Sequence, residues 1–255
     1  MAVIVTADGS LENAQNLCYE IADLGWQNRQ RFLKKLTSIE EAVELAEKTT
    51  RNPQMPALIF SDAGDNPGGG GSGNTTWLVK SLIDAGIPKV FYGSFFDPEL
   101  AAEAHRLGEN VVFSAQFNRQ GEMEFSKNFS AQAKVLKLSD GAHVGSLGMG
   151  EGRLIEMGPS AALEFNGPQG VIVIVISKRH QTADPLFFEG FGLEISDARI
   201  VVVKSRGHFR AGFYPWFDPE QVYEIDTPGL TAPVLECFHW KGLPRPVYPL
   251  DQDVE

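Results

Sequence analysis

Cysteine is scarce in this 255-residue chain, with only Cys18 and Cys237 present, so no disulfide framework holds it together. Both sit among apolar or aromatic neighbours and are expected to be reduced, structural thiols. Long apolar runs are missing too. The longest, Val171 to Ile176, is far too short to span a bilayer. The opening Met1-Ala2-Val3-Ile4-Val5-Thr6 lacks the basic segment and apolar stretch of a secretion signal. A cytoplasmic protein that does not engage membranes is expected. Positive charge is in deficit, with 22 Lys and Arg against 33 Asp and Glu and a formal net charge of -11. Such a surface repels phosphate backbones, which argues against nucleic acid as a partner.

Familiar catalytic signatures are absent as well. The chain has no His-Glu-x-x-His, no Cys-x-x-Cys and no pair of His at ligand spacing with a supporting carboxylate. It has no Gly-x-Ser-x-Gly elbow, and neither cysteine has a base nearby in sequence. His105, His143 and His239 are scattered. Gly and Pro are frequent but not periodic, which excludes collagen and low complexity.

What is present is a 43% hydrophobic composition, enough to bury a substantial core. The first half alternates helix and strand. Leu17, Ile21, Leu24 and Trp26 recur at helical spacing between Leu11 and Phe32. Ser38 with Glu41 reads as a capping box for a second helix. Pro56 to Asp62 reads as a buried strand. Asn74-Thr75-Thr76 is expected to cap a helix that runs through Ile83 and closes at Gly86. Strands at Lys89–Ser94 and Val111–Phe113 flank a helix at Pro98–Leu107, closed by Gly108. From Gln116 the texture becomes antiparallel, with Met123-Glu124-Phe125 and Ala133 to Leu138 as candidate strands. Val171–Ile176, a short helix at Pro185–Phe191 and Arg199–Ser205 restore the α/β pattern. These elements predict an α/β fold: a mostly parallel sheet with helices on both faces, plus an antiparallel β-rich insertion at about 116–165. A single domain over 1–255 is expected, with a Pro-rich tail at 228–255.

Two segments concentrate chemistry at strand ends. Asp62-Ala63-Gly64-Asp65-Asn66-Pro67-Gly68-Gly69-Gly70-Gly71 hands a buried strand over to a helix. Consecutive glycines let a ligand approach the backbone, and a helix N-terminus favours negative charge or a polarised carbonyl. No Gly-Lys-Ser or Gly-Lys-Thr follows, so this is not a P-loop. Asp62, Asp65 and Asn66 are suited to hold a cation, orient a water or accept from a substrate amide. The competing reading is a flexible surface turn. The second segment, Val203 to Phe213, places Lys204, His208 and Arg210 at the same sheet edge, where they suit a carboxylate or an oxyanion. His208 suits general acid or base work; a structural histidine is the alternative, and for Arg210 a salt bridge. Ser177-Lys178-Arg179-His180-Gln181 is a third candidate for the same crevice.

Asp65-Asn66-Pro67-Gly68-Gly69-Gly70, Ile200 to Ser205 with His208-Phe209-Arg210-Ala211, Pro228-Gly229-Leu230 and Arg245 to Asp251 occur in that order. Together they resemble the C-terminal domain of the microcystinase C-type (MlrC) metallopeptidases. Gly158-Pro159-Ser160-Ala161 and Asp184 to Phe187 fit the same pattern, and the resemblance runs from about Leu11 to the end. It implies hydrolysis of small or linearised peptides with a bound zinc ion, whose Glu, Asp and His ligands belong to an N-terminal domain that this chain lacks. That domain, in cis or in trans, and a small peptide are the implied partners. The chain itself is expected to hold no metal or other cofactor. It is expected to be inactive without the metal-binding half. Asp65, Asn66, Gly68, Gly69, Gly70, His208 and Arg210 would contact substrate, with His208 and Lys204 supporting catalysis. Many relatives carry Asp where this chain has Asn74; a helix cap tolerates that exchange, but an ionic contact there would be lost. A non-catalytic peptide- or anion-binding module that uses the Gly-rich turn is the alternative, and a homo-oligomer stays open.

Overall fold

The computed structural model describes residues 2–33, 35–121 and 123–251. Two compact units result, residues 1–36 and 37–255. In the first, α1 (Leu11–Gln27) starts at Ser10, whose hydroxyl accepts from Asn13 N. The helical spacing suggested a helix to Phe32. The α-helix instead ends at Gln27, and a single 3-10 turn at Arg29–Phe32 follows.

In the second unit α2 (Ile39–Arg51) carries the expected capping box, with Glu41 N donating to Ser38 Oγ and Ser38 N donating to the Glu41 carboxylate. There follow β1 (Leu58–Asp62), α3 (Trp77–Asp84), β2 (Val90–Phe96), α4 (Pro98–Leu107), β3 (Val112–Phe117), β4 (Phe129–Ser139), β5 (Ala142–Val144), β6 (Leu154–Glu156) and β7 (Ser160–Phe165). Then come β8 (Val171–Ile176), α5 (Leu186–Glu189), β9 (Ile200–Val203), α6 (Arg210–Phe213) and β10 (Val222–Ile225). One eight-stranded sheet has the order β10-β1-β9-β2-β8-β7-β4-β3. Its first five strands are parallel and the last three antiparallel.

Strand residues alternate between two cores, as a pleated strand buried on both faces must. Val171, Val173 and Val175 of β8, Ile200 and Val202 of β9, and Leu58 and Phe60 of β1 join α2, α3 and α4 on one face. Ile172, Ile174 and Ile176, Val201 and Val203, and Ile59 meet α5 and α6 on the other. Each such Val or Ile, taken fully out of water, contributes about 1.5–3 kcal/mol. This is the α/β architecture with helices on both faces that the sequence pattern predicts.

The antiparallel part differs in detail. β3, β4 and β7 are not a separate layer; they extend the main sheet, and the change of direction begins at Val112, before 116. β5 and β6 form a small sheet of their own. Met123-Glu124-Phe125 makes no strand but a tight turn, with a bridge from Met123 to Ser126. Thr76 does occupy the cap position of α3, yet its hydroxyl donates to Lys127 O instead of capping the helix. β10 has no counterpart among the elements the sequence pattern predicts; its four residues lie among turns. The tail from 228 holds a 3-10 turn at Leu235–Cys237, and its last four residues, 252–255, lie outside the described ones.

Connections decide where a crevice opens. From β1 the chain crosses through α3, on the first face, to β2. From neighbouring β9 it crosses through α6, on the second face, to β10. Leaving adjacent strands for opposite faces, the two loops part above the β1–β9 pair, the kind of switch point at which α/β sheets bind ligands.

Candidate functional site at the β1–β9 switch point

Parallel pairing puts Ser61 beside Val203, so the next residues, Asp62 and Lys204, leave the two strands side by side. Alternation turns both toward the face that also holds Tyr92. Asp62, Asp65, Lys204 and Tyr92 are fully or almost fully buried. Lys204 Nζ lies 2.8 Å from Asp62 Oδ2 and 2.7 Å from Asp65 Oδ2. It also donates to Thr75 O and is within 3.2 Å of Thr75 Oγ1. Asp62 accepts from the Tyr92 hydroxyl at 3.1 Å and the Thr227 hydroxyl at 2.5 Å. Asp65 accepts from Gly73 N at 2.6 Å and Thr75 N at 2.7 Å.

Taking three charges out of water is expensive unless each is paired and bonded, and here each is. Burial alone would pull the Lys204 ammonium down, but the Asp62 and Asp65 charges raise its pKa well above the usual lysine value. Burial alone would push the Asp65 carboxyl up; Lys204 and the Thr75 and Gly73 amides hold it below the usual carboxylate range. Burial also lifts the Tyr92 phenol well above its ordinary value, against the pull of Lys204. Lys204 is thus a locked cation, without a lone pair for base or nucleophile chemistry.

This cluster staples both ends of the Gly-rich turn, at Asp65 and at Gly73–Thr75. Between them Asn66 N donates to Thr231 Oγ1 and the Asn66 side chain accepts from Gly68 N. Gly69 N and Gly71 N donate to Asn66 O, and Gly70 N donates to Pro67 O. The amides of Gly68 to Gly71 are therefore spent inside the turn rather than offered to an anion, a correction to the backbone-cradle expectation. What the exposed Gly68, Gly69 and Gly70 present is flat backbone without side chains. Gly70, at φ 99°, needs glycine for its conformation. Gly64 needs it for space: a Cβ there would lie 2.0 Å from Thr227 O, so the segment 227–231 packs directly on the turn.

Three loops meet at the rim. A Cβ on Gly68 would lie 2.3 Å from Gln181 Oε1. The Gln181 amide nitrogen lies 3.0 Å from His208 Nδ1, on an exposed ring. Sequence segments after β1, β8 and β9 are thus brought together. Other candidates point elsewhere. Arg210 lies 3.5 Å from Glu224 of β10, joined there by Arg206 at 3.6 Å, which is the salt-bridge alternative. Lys178 and His180 turn to Glu156. Asp65 faces inward to Lys204, Asn66 is half-buried at the turn, and His208 faces solvent. Tyr92, Thr75 and Thr227 complete the cluster and were not singled out from sequence. The signal for Tyr92 was its place on a central strand, in phase with the buried face.

Residues 60–242 match the family model described as MlrC C-terminus, well over half of the chain. The chain belongs to the MlrC C-terminal family. The matched span contains every residue of the buried cluster and the rim. A Sphingomonas sp. protein named microcystinase C is 26% identical over 171 residues, covering 67% of this chain and 32% of that protein. A crystal structure from Mesorhizobium sp. BNC1, described as a candidate metallopeptidase, superposes with a TM-score of 0.76 at 24% identity, over 96% of this chain and 47% of that one; at that identity the likeness shows the fold. This MlrC C-terminal chain spans about a third of the length of the curated relative and about half of the structural neighbour.

Proposed function

We propose that this chain forms the substrate-side wall of a zinc-dependent peptidase site for small or linearised peptides, with the zinc carried by an N-terminal metal-binding domain in cis or in trans. The observation that carries this reading is the Gly-rich turn, stapled at both ends by a buried ion cluster and exposed at its tip above the β1–β9 switch point. The family match and the relative named microcystinase C support the peptidase class.

The donors among the described residues do not suit a zinc ion. Among the described residues no group of three or more His, Cys, Asp or Glu is arranged to hold a metal, and the two carboxylates nearest the crevice are occupied by Lys204. The roles that fall to this chain are binding ones. The side-chain-free turn lets a peptide backbone lie close. In this reading the Gln181 amide and the His208 imidazole orient a carbonyl or carboxylate.

Mixing the chain with a separately made metal-binding half of the family and zinc, against a panel of tri- and tetrapeptides, tests this. Hydrolysis by the mixture and by neither half alone is the expected result. No hydrolysis of any peptide overturns it, and peptide binding without hydrolysis in the mixture marks a non-catalytic binding module instead.

A further inference from the structure

The second face of the sheet is covered unevenly. There α6 is a single turn of four residues, about 6 Å long. The β1 and β10 strands beside it run for about 13–17 Å, so the helix cannot roof them. Side chains do so instead. Phe209, Phe213, Tyr214 and Phe217 gather over Ile59 and Val222, which are paired neighbours on β1 and β10. Together they bound a cleft of about 200 Å³. Every residue that lines it belongs to the second unit, so its shape is set inside that unit. Its walls lie on the opposite face of the sheet from Tyr92 and the buried ion cluster.

A space of this size takes one ring: an apolar cavity of roughly 150 Å³ accommodates a benzene. The walls are aromatic and aliphatic carbon, and the one charged group among them is Arg210. Its guanidinium carbon stands 5.4 Å from the centroid of the Phe209 ring, within cation–π range. Arg210 and Arg206 also share Glu224, at 3.5 and 3.6 Å. Both contacts are longer than an ordinary hydrogen bond, and two guanidinium groups exceed one carboxylate by a full positive charge. Arg210, with five N–H donors in a fixed fork, therefore has capacity for a second anionic acceptor. Asp218 and Glu220 flank Pro219 at the edge of the cleft but line no part of it.

We propose that this cleft binds a small, single-ring aromatic acid, its ring among Phe209, Phe213 and Phe217 and its carboxylate on Arg210. Burial removes the ring from water and sets it against aromatic walls. The carboxylate forms a charge-assisted hydrogen bond with the guanidinium and balances the charge that Glu224 leaves over. A neutral ring forgoes that second contribution, and a cationic one meets Arg206 and Arg210. The site is separate from the peptide crevice, and the inference does not depend on the peptidase reading.

Titration of hydrocinnamate into the full chain, followed by methyl NMR, tests this. The Ile59 and Val222 methyl signals should shift together, with a dissociation constant on the order of millimolar, the scale of one buried ring and one charged contact. Hydrocinnamamide should bind about tenfold more weakly, and phenethylamine more weakly still. Arg210→Gln should bring the acid down to the level of the amide and leave the amide unchanged. Val222→Phe places a ring of the protein's own in the cleft and should abolish binding of all three. Tyr214→Ala removes one exposed wall and should weaken all three, which keeps the test open should the Val222 variant fail to fold. Methyl signals that never move, an amine that binds as tightly as the acid, or acid binding untouched by Arg210→Gln overturns the proposal. So do shifts that fall on the Gly-rich turn instead, which would put the acid in the crevice.

Discussion

At the floor of the crevice Asp62 and Asp65 are sealed from solvent and both bonded to Lys204, whereas at its rim Gln181 is half-buried and His208 exposed, with sparse contacts. Both regions hold polar or charged side chains at the ends of the same parallel strands. Their physics is opposite. In the floor, losing any partner strands a charge in a low-dielectric interior, so geometry is held against large penalties. At the rim water screens and replaces each contact, so individual contacts are weak. A crevice needs both: a floor that fixes where the Gly-rich turn sits, and a rim free to exchange water for ligand.

The largest effect that tests this contrast is on Lys204. Lys204→Met leaves Asp62 and Asp65 buried against each other and is expected to cost about 3–5 kcal/mol in chemical denaturation. Combining it with Asp62→Asn and Asp65→Asn removes the stranded charges and recovers most of that loss. A single variant as stable as the parent would remove the distinction between floor and rim.

An acid-side effect follows from Asp65. Its carboxyl titrates below its unfolded value of about 3.9. The proton therefore binds the unfolded chain first, and the stability this group adds is fully present above about pH 4. It is lost as pH falls through the native value. Denaturation midpoints between pH 5 and pH 2 should fall more steeply for the parent than for Asp65→Asn. Parallel acid limbs would mean that Asp65 has no favourable pairing in the folded state. On the alkaline side the sign reverses for Lys204: its native pKa is raised, so its contribution is complete below about pH 10.4 and is lost as pH rises through the native value.

The sequence announced the floor only in part. The strands were legible because runs such as Val171–Ile176 and Ile200–Val203 have no alternative to burial on both faces. Strand ends with Asp62 and Lys204 were legible as chemistry, but not as partners. Their pairing depends on β1 and β9 being neighbours, although 142 residues separate the two side chains. No local pattern encodes strand order. β10 was missed because Val222–Ile225 is short and its facing helix, α6, is a single turn. The amides of the Gly-rich turn were read as open to an anion because glycine spacing reports conformational freedom, not which acceptors a turn supplies to itself. Asn66 and Pro67 supply them here.

The smallest effect on stability, and the sharpest on binding, is expected at the rim. Gln181→Ala and His208→Ala each remove a contact that solvent can replace, so each should shift stability by within about 0.5 kcal/mol. A bound peptide displaces that solvent, and an amide or imidazole lost from its partner then costs about 1 kcal/mol, several-fold in affinity. Calorimetric titration of a short peptide into the parent, the two single variants and the double variant separates the terms. Because Gln181 and His208 touch each other, their losses should fall short of additivity: the first change already frees the second side chain from its fixed pose. Strictly additive losses would mean that the two groups meet the ligand independently, and that the loops after β8 and β9 line the crevice without acting as one rim.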